Sequence, residues 1–205
     1  GLIADIDPAA SVIAVTIPAA LPAGADKKDR RQGAVEMFRR RSPVTNTWDR
    51  VQTIWLDRDF IEPAAQIRAF VGNGVLAVGS PAHNHSGSVR LYAERNGIWE
   101  FDCEIQSERA RGGAYFGWYI DPDEPGALLI SAFRHNEGVK LMEGGISSFI
   151  RDASGRWSEQ GLILDPGGRG FGALGMSFMR SGNQLWAGAM GDLFGDVPAA
   201  GSVAV

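Results

Sequence analysis

Self-similarity at a fixed period governs what this sequence can become. A glycine that opens a short alternating strand recurs as Gly33-Ala-Val-Glu-Met-Phe38, Gly87-Ser-Val-Arg-Leu-Tyr92, Gly145-Ile-Ser-Ser-Phe-Ile150 and Gly201-Ser-Val-Ala-Val205, at steps of 54, 58 and 56 residues. After each of the first three copies come a turn and a tryptophan, followed six residues on by isoleucine: Trp48 with Ile54, Trp99 with Ile105, Trp157 with Ile163. Six is even, so in an extended strand both side chains lie on one face. The next element carries Phe116-Gly117 and Phe171-Gly172, a pair missing from the second copy, which reads Ala65-Gln66-Ile67. Each copy then has a tight apolar run with small residues: Ile13 to Pro18, Leu76 to Pro81, Leu128 to Phe133 and Leu185 to Met190.

One period thus holds four strands of about five or six residues, bounded by turn signals such as Gly72-Asn73-Gly74, Asn96-Gly97, Ser154-Gly155 and Ser181-Gly182-Asn183. The pattern predicts an all-β chain of four-stranded antiparallel meanders. One such sheet has two faces to cover, and radial stacking of copies covers them, which is the β-propeller arrangement. The chain reads as a single repeat domain of about 3.75 repeats of ~56 residues, with blades near 1–57, 58–108, 109–165 and 166–205, the last short of its Trp-bearing outer strand. An incomplete ring exposes an apolar sheet face and a strand edge. A protein partner, additional copies of the chain, or further residues of a larger propeller are therefore expected to complete or cover it.

The order Phe-Gly, an apolar strand closing in Gly79-Ser80-Pro81 or Gly188-Ala189-Met190, then Gly-x-Val-x-x-Phe/Tyr, then Trp, resembles the FG-GAP repeat in its calcium-free variety. The likeness covers the whole chain and is clearest from Phe171 to Val203. It implies an integrin-like β-propeller that works without catalysis, in adhesion, assembly or ligand binding, at the cell surface or outside the cell, through its rim loops or blade edges. A carbohydrate-binding lectin and a propeller enzyme acting on glycans are the alternatives, because a fold does not name its function.

Composition narrows the partners. With 20 Lys plus Arg against 24 Asp plus Glu, a net charge of −4 offers no basic footprint for nucleic acid. The uncharged stretch 8–25 is interrupted by Pro8, Pro18 and Pro22 and falls short of the ~20 apolar residues a bilayer asks for, so no membrane span is expected. The single cysteine, Cys103, cannot form an internal bridge and reads as filler in an outer strand.

An integrin-type calcium loop needs several convergent oxygens. The nearest match, Asp121-Pro122-Asp123-Glu124-Pro125-Gly126, has Pro125 and Leu129 where ligands belong, so neither a metal nor another cofactor is expected. All three histidines fall in the connection from the small-residue strand to the Gly-x-Val strand: His83-Asn84-His85 after Gly79-Ser80-Pro81, and His135-Asn136 after Ser131-Ala132-Phe133. Equivalent loops lie on one rim, which makes His83, Asn84, His85, His135 and Asn136 the candidate ligand-binding residues, for a protein or a glycan. Zinc would ask for three or four ligands, with no cysteine near. No catalytic residue is assigned, since no Gly-x-Ser-x-Gly elbow precedes a helical pattern. The basic runs Lys27 to Arg31 and Arg39 to Arg41 read as solvated loop or as a local basic face, and the insertion 19–32 as a contact loop.

Overall fold

The computed structural model describes residues 4–9, 11–25, 31–61, 67–110, 113–136, 142–164, 172–191 and 202–204. The first sheet runs β1 (Ala4–Asp7), β2 (Val12–Ile17), β3 (Arg31–Ser42), β4 (Thr47–Asp57), and the second β5 (Arg68–Gly72), β6 (Val75–Ser80), β7 (Ser88–Arg95), β8 (Ile98–Ile105). The third is β9 (Ile120–Glu124), β10 (Ala127–Ser131), β11 (Ile146–Arg151), β12 (Trp157–Ile163), and the fourth β13 (Leu174–Ser181), β14 (Gln184–Ala189), β15 (Ser202–Ala204). Every pairing within these sheets is antiparallel between strands adjacent in the chain. The sheets stand in a ring as the blades of a β-propeller, with β1, β5, β9 and β13 all lining one central cavity. A 3₁₀ turn at His83–His85 is the only helical element among the described residues, and none of their helices is long and apolar enough to cross a membrane.

The blades repeat to the residue. In each of the first three, the pairing of the third and fourth strands slips by one residue, between Met37 and Phe38, Leu91 and Tyr92, Ser148 and Phe149. Counted from these bulges, Trp48, Trp99 and Trp157 take one position, opposite Arg40, Glu94 and Arg151. A bulge tightens local twist, which turns the outer strand over the neighbouring blade.

Burial follows from the stacking. β2 alternates, with Val12, Ala14 and Thr16 turned inward to the second blade. β6 lies between neighbours on both sides and is buried on both faces, which its unbroken run Leu76-Ala77-Val78 requires. One core joins blades one and two through Met37, Leu56, Leu76, Val78, Tyr92 and Trp99. A second joins blades two and three through Leu91, Phe116, Ile120, Leu128, Phe149 and Trp157. A smaller one joins three and four through Ile146, Leu174, Phe178, Ala187 and Ala189.

Between blades four and one the ring has a seam, with no buried core across it among the described residues. Trp99 and Trp157 are 3% and 8% exposed beneath a preceding blade, whereas Trp48, in the first blade, is half-buried. The same face carries Ile6, 50% exposed, and half-buried Ile13, Val15, Ile17 and Phe38. Across the seam Met179, Trp186 and Val203 remain 60%, 41% and 65% exposed on the face of blade four turned away from blade three.

The structure relocates two landmarks of the repeat. Gly87 and Gly144, not Gly145, are the equivalent glycines: both have positive φ, +95° and +78°, and a methyl on either would overlap the backbone of the incoming strand, at Phe116 and Leu174 respectively. Phe171 lies outside the described residues, and the pair that packs like Phe116-Gly117 is Leu174-Gly175. Phe116 N–H donates to Ser86 O and Leu174 N–H to Glu143 O, each at 2.9 Å. In the second blade the register places the counterpart of Phe116 within 62–66, outside the described residues, and Gly33 is met instead by the side-chain tips of Ile61 and Ile67 and by Pro18 O. The position demands an apolar plug, which Phe or Leu can supply.

Candidate functional site

Three places gather polar chemistry: the rim that carries the histidines, the central cavity, and a cleft on the outer wall between blades two and three.

On the rim, His83 is held over the Phe60 ring, centroids 5.5 Å apart, with Nε2 3.6 Å from Glu104 Oε1 and 2.9 Å from Asn84 Nδ2. Glu104 accepts from Arg90 Nε at 3.0 Å, and Arg90 Nη1 donates to Asp57 at 3.1 Å while its guanidinium lies 4.2 Å from the centre of Phe60. Asp57 and Phe60 come from the end of the first blade, so this network ties blade one to blade two. Asn84 and His85 both adopt left-handed backbone, φ +49° and +64°, and their side chains are exposed. In the equivalent loop of the third blade His135 is 5% exposed, its N–H donating to Ala132 O at 2.8 Å and its carbonyl accepting from Gly144. Asn136 Oδ1 accepts from Met142 N–H at 2.6 Å and so pins the far end of that loop. The histidine loops thus share a rim, but His83, His135 and Asn136 are engaged within the fold, leaving Asn84 and His85 outward.

Beside them runs a row the sequence reading missed. The Arg68 guanidinium lies 3.7 Å from the centre of Trp118, Trp118 is 4.8 Å from Phe133, Phe133 is 5.5 Å from Tyr115, and Arg134 lies 4.8 Å from Tyr115. Burial pulls the Arg68 guanidinium below its usual range. Cation–π contacts of this kind contribute about 0.5–2 kcal/mol each. The signal in the sequence is the aromatic run Tyr115-Phe116-Gly117-Trp118-Tyr119, in which the Phe-Gly pair marks the repeat and the flanking rings build this row.

The central cavity, about 200 Å³, is lined by Asp5, Phe70, Tyr119, Asp121, Phe178 and Arg180. Adjacent blades are joined here in turn. Val71 N–H donates to Asp5 at 2.8 Å, Phe70 stacks on Tyr119 and Tyr119 on Phe178 at 4.9 Å each, and Arg180 lies 3.6 Å from Asp121 and pairs with Glu124. Asp121, the first carboxylate of the sequence's nearest match to a calcium loop, therefore faces a guanidinium. Among the described residues no group of three or more His, Cys, Asp or Glu is placed to hold a metal ion.

The arginine run is equally occupied: Arg39 donates to Glu94 at 2.5 Å, Arg40 to Pro43 O at 3.0 Å, and Arg41 to Asp49. Residues 26–30, with Lys27 and Lys28, lie outside those described. Cys103 sits half-buried on β8, where burial pushes its thiol upward, an arrangement opposite to that of a reactive thiolate.

The outer cleft, about 410 Å³, separates β8 from β12 and is walled by Glu104, Gln106 and Glu108 on one side and by Trp157, Ser158 and Glu159 on the other. Glu159 accepts from the Ser107 hydroxyl at 2.7 Å and from Glu108 N–H at 2.9 Å. No protein-family model matches this sequence, and no curated protein does.

Proposed function

We propose that the chain is a non-enzymatic binding and assembly propeller of the calcium-free FG-GAP type, used at a cell surface or outside the cell. Protein partners or further blades cover its seam, and rim loops and blade edges present its contacts. The reading is supported above all by the seam, where two sheet faces leave Ile6, Met179, Trp186 and Val203 largely in solvent. Contiguous exposed apolar surface of this kind is what protein contacts cover. A glycan-binding role draws less support, because the ring faces of Trp118 and Tyr115 are taken by Arg68 and Arg134.

Light scattering against concentration tests it, with a hydrophobic dye as second readout. Association and dye binding are expected in the wild type, and both should fall in Met179→Glu/Trp186→Glu without loss of melting temperature. A stable monomer that binds no dye, and whose seam variants melt like core variants, would overturn the proposal.

A further inference from the structure

The outer cleft gains meaning from the junction before it. Between blades one and two, the Gln52 side chain on β4 grips the backbone of Trp99 on β8 with two bonds: Nε2 donates to Trp99 O at 2.9 Å, and Trp99 N–H donates to Oε1 at 2.8 Å. A carboxamide offers a donor and an acceptor side by side, as a peptide backbone does. Gln52 pairs with Met37 and Cys103 with Leu91, each just before its bulge, so the two occupy one position of the repeat. Trp99 and Trp157 likewise correspond. At the next junction Cys103 therefore stands where Gln52 stood, with a side chain that ends at Sγ and carries no amide. At the same junction, beginning one residue beyond Cys103 at Glu104, a cleft of about 410 Å³ opens beside Trp157, Ser158 and Glu159.

We propose that this cleft is a docking groove for a short, extended, basic peptide segment, whose backbone amide engages Trp157 as the Gln52 carboxamide engages Trp99. The inference rests on reading the chain as a binding propeller and names the ligand chemistry at one blade edge. An extended strand is the fitting shape because the wall is itself a stretch of outer strand, Trp157 to Glu159, and strand addition draws on main-chain bonds. Positive charge is the fitting complement: Glu104, Glu108 and Glu159 line the groove against Arg156, which is paired with Asp152 at 3.6 Å. Arg90 shares the charge of Glu104, and both oxygens of Glu159 already accept bonds from Ser107 and Glu108 N–H, so the exposed Glu108 carboxylate carries most of the attraction, with the net charge of Glu159 behind it.

The test uses the whole chain, ¹⁵N-labelled, and N-acetyl-Arg-Arg amide as probe. Saturable shifts are expected at the backbone amides of Trp157, Ser158 and Glu159. Cys103→Gln, which supplies the missing internal amide, should weaken binding at least tenfold. Glu108→Gln, at an exposed position, should weaken it about threefold and serves if the first variant fails to fold. Gln52→Cys should open a second set of shifts around Trp99. Absence of shifts at Trp157 to Glu159, or unaltered binding in both Cys103→Gln and Glu108→Gln, would overturn the proposal. So would N-acetylglucosamine moving these amides while the peptide does not. The seam measurements read the binding-propeller proposal separately, so either can fail alone.

Discussion

At Gly144 two demands coincide, a left-handed backbone and a neighbouring chain too close to admit a methyl group. Gly97, at the tip of the β7–β8 turn, meets only the first: its φ is +82° and nothing lies within 4 Å of where a Cβ would be. Left-handed backbone costs a non-glycine residue roughly 1–2 kcal/mol, and overpacking adds about 1–3. Gly97→Ala is therefore expected to lose about 1 kcal/mol and Gly144→Ala about 3 kcal/mol or more in denaturant titrations. Equal losses would show that the Leu174 backbone is free to shift. Titration adds a second residue-scale expectation. Burial pushes the Tyr92 phenol above its ordinary 10.0 and the Cys103 thiol above 9.0. Folded groups with raised values hold their protons longer than the unfolded chain does, so their stability is intact below about pH 9 and is lost as pH rises through the folded values. Melting temperature should stay level from pH 7 to 8.5 and then fall, less steeply in Tyr92→Phe. An identical fall in that variant would remove Tyr92 from the account.

The element that locks one blade to the next is the apolar plug before each inner strand. Phe116, 1% exposed, sits between the Gly87 backbone and Phe149, ring centroids 5.8 Å apart. Phe116→Ala should cost about 3–5 kcal/mol, whereas Phe101→Ala, on the exposed face of β8, should cost under about 0.5. Comparable losses would mean that the junction does not rest on the plug. This element shows how far the sequence could be read. The period, the four strands and the tryptophan positions were legible because turns and alternation are local signals. The bulge was not: it puts Trp99 in the core of blades one and two and Ile105 in that of blades two and three, where six-residue spacing alone places both on one face. In the fourth copy the letters point to Phe171-Gly172, but the pair that packs as the plug is Leu174-Gly175, because the requirement is apolar volume beside a tight backbone, which Leu174 meets with a different letter. The site was less legible still. Arg39 to Arg41 could be seen as charge, but Glu94, 55 residues away, could not be seen as the partner of Arg39. Gln52 grips a strand 47 residues on, and nothing local marks a glutamine in an outer strand as an internal ligand. Only with the bulges aligned does Cys103 become its missing counterpart.

For the molecule as a whole, stability should be graded along the chain. In a stack of repeats each blade is held by its own ladder and by its junctions, so total stability is close to a sum of nearest-neighbour parts. Blade two has a large apolar core on both sides, whereas among the described residues blade four has one buried junction, in which Ala187 and Ala189 contribute little volume beside Ile146, Leu174 and Phe178. Its other face is the seam, where Trp186 and Met179 remain in solvent. The amides of β13 and β14 should therefore open in a sub-global step well below the free energy that protects β6, β7 and β10. Native-state hydrogen exchange measures this directly, with protection expected to rise from blade four through blade three to blade two, and blade one intermediate. Any cover over the seam should raise β1, β2, β13 and β14 together, because it adds buried contact at the junction where the described residues form no core. Uniform protection across all four sheets in a demonstrated monomer would mean that blades one and four already support each other, and the seam would then be a closed junction.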